Sequence, residues 1–351
     1  MTAASILKLM QCPSCGGELD KKKTNLVCKG CDASFSIEDD MPIMMDTRKP
    51  WGKSADKDRI TYNGFYADRI AQGDGWWVKK TDPYLRMRDE HNLNASRWFV
   101  CNLIHKQNPD AKVILDAGGG EGYVSNYLLD LYGEKKAPMT ICYDLSNTLL
   151  ADGAERYDQP TLVPIAGDLQ HLALKDNSID CILCIETVEH IRDLSSYAKE
   201  ILRVLKPGGK IYITTPNKSG SQLWINDRGI YFVHNFVQIV ANVFRKNKVT
   251  IEPVPFYGHY EGEDGYEHYQ TPGSLSKYFK DAGFAVAKQY FVQWAGEASF
   301  MVSKFLHLPL FVPRLRQAVS QPFEVLLRTT PIGKAIGFTQ IAVFSKPDPK
   351  R

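Results

Sequence analysis

Val113-Ile114-Leu115-Asp116-Ala117-Gly118-Gly119-Gly120-Glu121-Gly122 decides the fold. An apolar run ends at an acid, and glycines follow at positions 118, 120 and 122. The pattern predicts a buried strand that turns on glycines into a helix, the arrangement that brings backbone N–H groups up to a nucleotide-type ligand. A dinucleotide fingerprint requires glycine at the first, third and sixth positions, the last for close helix–strand packing. Counted from Gly118, the sixth position is Tyr123, so that fingerprint fails.

Outward from this turn, helical and strand patterns alternate from about residue 88 to 215, which implies a parallel sheet. Strands are expected at Lys112–Asp116, Met139–Tyr143, Leu162–Ala166, Ile179–Ile185 and Lys210–Thr215. Helical spacing marks Val124–Leu131 and Tyr197–Leu205, the latter stopped by Lys206-Pro207-Gly208-Gly209. The second strand closes on Asp144, 28 residues after Asp116. That acid can reach ribose hydroxyls of a ligand lying over the strand ends, or cap the next helix. Asp168, in Gly167-Asp168-Leu169, is open to a ligand contact or to a role as a turn acid. Phe284–Val292 and Gln340–Ser345 fit a closing antiparallel pair. Cys181 and Cys184, three apart on an apolar strand, point to opposite faces and read as core residues.

Asp-x-Gly-x-Gly-x-Gly at 116–122, followed in order by Asp144, Asp168 and Leu205-Lys-Pro-Gly-Gly209, resembles the core of the class I S-adenosylmethionine (SAM) methyltransferases, of the type 11 kind. The resemblance implies an α/β fold: a Rossmann-like seven-stranded sheet with helices on both faces. It implies SAM as cofactor, with Asp116, Gly118, Gly120 and Gly122 in the turn, Asp144 and Leu145 at the ribose, Asp168 and Leu169 at the adenine, and Ile185 at the fourth strand end. Glu186-Thr-Val-Glu189-His190 resembles a motif of the ubiquinone-biosynthesis O-methyltransferases, as do His91-Asn-Leu-Asn94-Ala-Ser-Arg97 and Trp76-Trp77. There the matching arginine holds the carboxylate of SAM, so Arg97 is expected to do so here, in a two-pronged geometry. In some relatives Glu186, Glu189, His190 and a later histidine, here His268, would hold a divalent metal. Otherwise His190 is a general base for a hydroxyl acceptor, or the trio serves the helix start and the substrate pocket. Those enzymes lack the N-terminal segment of this chain and have shorter insertions.

That segment carries Cys12-Pro-Ser-Cys15 and Cys28-Lys-Gly-Cys31, with twelve residues between the knuckles. Two knuckles of two thiolates complete a tetrahedral zinc site with no open position, which makes the zinc structural. Leu26-Val27 and Phe35–Ile37 read as short strands, and Gly16, Gly17 and Gly30 suit the turns. With Ser36-Ile-Glu-Asp-Asp-Met-Pro-Ile-Met44, residues 6–46 resemble a Trm112-type ribbon, found as a partner of methyltransferases or fused to them. The domains expected are a ribbon over 1–48 and a methyltransferase domain over 49–351. The latter comprises a core at about 95–216 and 284–346, an acceptor cap at 217–283 with His234, His259 and His268, and an insertion at 295–336.

The chain has 351 residues and a net charge of +3, too small to imply nucleic acid as a partner. It reads without a signal peptide, and no apolar run approaches the ~18 residues that span a membrane. The paired spacing of the cysteines argues for metal and a reducing compartment, hence a cytoplasmic location. Residues 304–334 carry five Lys/Arg against Glu324, broken by Pro309, Pro313, Pro322 and Pro331. This segment is either a packed helical lid or a peripheral contact with a membrane surface. The leading expectation is O-methylation of a small-molecule or lipid-like acceptor. A ribosomal or transfer RNA methyltransferase that binds RNA through its ribbon, and a non-catalytic SAM-fold partner protein, are the alternatives. Oligomeric state is left open.

Overall fold

The computed structural model describes residues 6–71, 94–157, 159–219, 259–262, 265–292 and 325–349. Trp76-Trp77, His91, His234 and the greater part of both expected insertions lie outside the described residues.

The ribbon is an antiparallel meander of β1 (Leu19–Lys21), β2 (Asn25–Cys28), β3 (Ser34–Glu38) and β4 (Met41–Pro42). Asp39 and Asp40 join the last two with φ of 48° and 61°, the left-handed pair that a two-residue hairpin requires and that short acids tolerate. Helix α1 (Pro50–Ala71) starts on a proline in its first turn and leads toward the main sheet.

That sheet comprises β5 (Val113–Ala117), β6 (Met139–Asp144), β7 (Leu162–Ala166), β8 (Ile179–Ile185), β9 (Leu205–Pro216), β12 (Ala285–Val292) and β13 (Thr339–Ser345). Its order is β12-β13-β9-β8-β5-β6-β7, and β13 alone runs against its neighbours. A separate hairpin, β10 (His259–Gly262) with β11 (Gly265–His268), lies between β9 and β12 in sequence. The parallel strands are apolar throughout because both faces are covered. On one face Ile114, Cys181, Leu183, Tyr212 and Ile341 pack under α2 (Asn94–Gln107) and α3 (Tyr123–Tyr132). On the other, Leu115, Ile141, Ile182, Cys184 and Phe344 pack against α5 (Leu194–Val204), α6 (Pro272–Ala282) and the ribbon. Cys181 and Cys184 therefore fall on opposite faces, both fully buried. Helix α4 (Asn147–Arg156) follows β6, and the short α7 (Pro331–Ile336) precedes β13.

Two expectations are corrected. The helix expected at Tyr197–Leu205 spans Leu194–Val204, because Asp193 caps it by accepting from the N–H of Ser195 and Ser196. The strand expected from Lys210 already begins at Leu205. Ile179 pairs with Leu205 and Cys181 with Lys210, so Lys206–Gly209 bulge out of the ladder, Gly208 at φ 76°. The Pro-Gly-Gly turn is therefore present, but inside a strand.

The ribbon shares the core of the sheet. Ile43 bridges Ala166 at the β7 edge, Met10 bridges Leu174, and Met10, Phe35 and Met44 join the cluster of Leu115 and Ile165. The ribbon thus covers a sheet edge that would otherwise offer unpaired backbone groups. No helix among the described residues is long and apolar enough to cross a membrane.

Phe279 of α6 is fully buried, stacked on Phe344 at 4.4 Å and edge-on to Tyr197 at 6.3 Å. Phe279→Ala is expected to destabilise the chain by about 3–5 kcal/mol in a urea melt; a loss within experimental error would show that α6 does not pack as described.

Candidate functional site

Strand order reverses between β5 and β8, and in open α/β sheets ligands lie outside the carboxyl ends of strands at that point. A cleft of about 950 Å³ opens there. Its floor is the glycine turn. Gly118, Gly120 and Gly122 have φ of 79°, 54° and 75°, which other residues rarely adopt. A Cβ on Gly118 would lie 2.2 Å from Thr187 Cγ2, and one on Gly119 2.7 Å from Asp116 Cγ. The turn is a cradle that only bare backbone fills.

Asp116 lies beneath it, 1% exposed, accepting from Ser125 Oγ at 2.6 Å. It therefore ties the strand end to the first turn of α3. Asp144 stands at the end of β6, each oxygen holding a backbone N–H: Gly120 at 2.9 Å and Ser146 at 2.8 Å. Leu145 lines the cleft beside it. Asp168 holds its own loop, accepting from Gln170 N at 2.9 Å and meeting His171 Nδ1 at 3.2 Å, with Leu169 buried next to it. Arg97, on α2, also faces the cleft; its Nε is buried with no hydrogen-bond partner among the described residues.

Burial penalises the charge of three neighbouring carboxyls. It pushes Asp116 up to about 7 against the Ser125 hydrogen bond, and Glu121 up to about 7 against its backbone hydrogen bond and Arg97. Asp144 is raised for the same reason, opposed by the N–H groups of Ser146 and Gly120. The Asp144 and Glu121 carboxylates also raise Asp116 through like-charge repulsion, and Asp144 raises Glu121. A cleft with this floor favours a cationic ligand, and the orphaned guanidinium nitrogen favours an anionic group near α2.

Ile185 ends β8 at the cleft, and the chain turns sharply. Glu186 has φ 52°, held there by its N–H on Thr214 O at 3.0 Å. Such a conformation costs a non-glycine residue about 1–2 kcal/mol, and strain of this kind clusters at functional sites. Glu189 points inward, 3% exposed, accepting from Thr215 Oγ1 at 2.8 Å. His190 is exposed at the cleft. β11, which ends at His268, packs against the Val188–His190 turn. Glu186, Glu189, His190 and His268 are thus neighbours in the fold, while the group among the described residues whose ligand atoms are gathered as a metal site is Cys12, Cys15, Cys28 and Cys31.

Those four sulfurs lie within 4.8 Å of one another, with Cys12–Cys31 at 3.7 Å and Cys15–Cys28 at 3.4 Å. Tetrahedral thiolates on zinc stand about 3.8 Å apart, given Zn–S bonds of about 2.3 Å. The set fits the metal the spacing implies.

One wall of the cleft escaped the sequence reading. Trp51, Asp58, Tyr62 and Tyr66 of α1 line it. Trp51 stacks on His171 at 4.0 Å, and Asp58 faces Arg192 at 3.7 Å. α1 mixes charged, small and aromatic residues without an apolar stripe, and Pro50 is its clearest start signal.

Residues 115–213 match the methyltransferase domain family, and residues 5–40 the Trm112p-like protein family. A probable S-adenosylmethionine-dependent methyltransferase of Mycolicibacterium smegmatis is 33% identical over 105 residues, 30% of this chain and 38% of that relative. A demethylmenaquinone methyltransferase of Chlorobaculum tepidum is 29% identical over 181 residues, 50% of this chain and 67% of the relative. The chain spans less than two fifths of the length of the mycobacterial relatives it matches. A solved S-adenosylmethionine dependent methyltransferase from Mesorhizobium loti aligns with 73% of this chain and 100% of its own, at 14% identity and a TM-score of 0.45.

A carboxyl raised from its ordinary 3.8 to about 7 binds its proton more tightly in the folded chain than in the unfolded one. Stability is therefore expected to fall as pH rises from about 4 through about 7, and Asp116→Asn should flatten that fall in urea melts. An unchanged pH profile in Asp116→Asn would contradict the placement of this carboxyl. Metal analysis is expected to find about one zinc per chain, lost with Cys28→Ser; metal-free protein with four reactive thiols at 12, 15, 28 and 31 would refute the ribbon.

Proposed function

We propose that the chain is a SAM-dependent methyltransferase that transfers the methyl group to a hydroxyl of a small-molecule or lipid-like acceptor. The glycine cradle facing Thr187, flanked by Asp144 and by the orphaned Arg97 Nε, carries this reading. The domain match over 115–213 supports it.

SAM supplies a methyl group on a cationic sulfur, a leaving group that needs no acid to depart. What the chain must do is bind and align. Arg97 holds the carboxylate of the cofactor and so satisfies its Nε. Asp144 accepts the ribose hydroxyls; its backbone hydrogen bonds fix the carboxylate in advance. Asp168 and the backbone of Leu169 serve the adenine, and Ile185 the amino end. The buried carboxyls of Asp116 and Glu121 supply the negative field that a cationic ligand relieves. Thr187, pressed on Gly118, holds the β8 turn against the cradle, which sets the line of attack.

The acceptor approaches from the His190 side. His190 is exposed there and takes the hydroxyl proton as general base. Glu189, buried on Thr215, and Glu186, in its left-handed turn, position the histidine. Tyr269 and Phe338 beside it suit an apolar body on the acceptor.

Lysate small molecules and lipids incubated with the enzyme and methyl-labelled SAM are expected to take up label in an organic-extractable fraction. His190→Ala should lower turnover by about 10²-fold or more while cofactor binding persists. Label that enters only RNA or protein would overturn the acceptor class, and full activity in His190→Ala would remove it as the base.

A further inference from the structure

The ribbon has no part in the chemistry proposed above, yet two sets of polar contacts, joined by helix α1, link its sulfurs to the cleft. Arg48 makes the first link. Its Nη1 donates to Cys31 O at 3.0 Å and its Nη2 lies 3.6 Å from Cys31 Sγ. Its Nε and Nη2 clamp the two oxygens of Asp46 at 2.8 and 2.9 Å. The Asp46 side chain is 3% exposed and also accepts from Ser14 Oγ, in the first knuckle, at 2.7 Å.

Asp46 then fixes the start of α1. Its carbonyl accepts from Lys49 N at 2.9 Å, and a Cβ on Gly52 would stand only 2.0 Å from that carbonyl oxygen. The first turn of the helix is seated on Asp46 more closely than any side chain would allow. Further along, Asn63 Oδ1 accepts from Ser146 Oγ at 2.8 Å and from Thr148 N at 3.3 Å, while its Nδ2 donates to Asn147 Oδ1 at 2.6 Å. Arg59 donates to that same Asn147 oxygen at 2.8 Å. Ser146 is the residue whose N–H holds Asp144. The helix is thus tied at its start to the metal knuckles and at its middle to the residues that hold the ribose-side carboxylate.

We infer that the ribbon positions α1 as a fixed wall of the cofactor cleft, with Arg48, Gly52 and Asn63 as positioning residues, so that metal occupancy of the four-cysteine site is coupled to cofactor affinity. This rests on the SAM reading of the cleft. Coupling of this kind is reciprocal: zinc strengthens cofactor binding, and bound cofactor slows zinc loss by the same free energy.

The test uses the full zinc-loaded chain and the variants Arg48→Ala, Gly52→Ala and Asn63→Ala. Lys22→Ala, which removes only an exposed pair with Asp20, is the control. Gly52→Ala is the sharpest variant, because alanine favours helix and disfavours only the seating. In each variant, hydrogen exchange of α1 amides is expected to quicken without ligand while β5 and β8 stay protected. Calorimetric affinity for S-adenosylhomocysteine should weaken about tenfold, with KM for SAM raised and kcat held within about twofold. Metal analysis should show the zinc retained, and a chelator should strip it more slowly once S-adenosylhomocysteine is bound to the unmutated chain. Unmutated chain that binds S-adenosylhomocysteine, with all three variants matching the control, would overturn the coupling and leave the cofactor reading standing. No binding by the unmutated chain would overturn both.

Discussion

Gly118 rests against Thr187 where the strand order reverses, with φ 79° and no room for a Cβ. The contact brings the turn after β5 against the turn after β8, and everything else in the cleft is arranged about it. The parallel pairing of Ile114–Asp116 with Cys181–Leu183 holds the two strand ends level. Asp116 then reaches down to Ser125 and fixes the helix that leaves the turn, while Asp144 reaches across to the N–H of Gly120. A side chain at 118 would part the two turns and misalign the cradle, the β6 acid and the β8 mouth together.

The cost of this arrangement is electrostatic. Three carboxyls are gathered under one turn, two of them pushed to about 7 by burial. A stable apolar core has no use for such a cluster, and burial of charge without a partner is unfavourable. It becomes favourable once a cation lies over it. Arg97 of α2, with a buried nitrogen unsatisfied by described residues, presents the opposite need in the same cleft. A zwitterionic, sulfonium-bearing ligand answers both, and this complementarity is the physical content of the cofactor assignment.

The sheet was legible in the sequence wherever backbone geometry dictates residue type. Leu162–Ala166 and Ile179–Ile185 fall where expected, because strands buried on both faces show as apolar runs. The knuckle spacing likewise announced the four sulfurs that the fold gathers. Legibility failed where function rests on side chains from a surface helix. α1 pairs Arg59 and Asn63 with Asn147, far away in sequence, and its polar faces carry no periodic signal. The Lys206–Gly209 segment was read as a clean break because local composition cannot show that the ladder resumes around a bulge. The Glu186–His190 motif was found, but its spacing did not show that Glu189 turns inward to Thr215 while His190 stays at the surface.

The claim that the cradle at 116–122 binds SAM is tested most directly by calorimetric titration of the full chain with SAM itself, alongside Gly118→Val. The account predicts saturable binding at one mole per chain, abolished when the valine side chain meets Thr187. Absence of binding in the unmutated chain, or undiminished binding in a folded Gly118→Val chain, would contradict it.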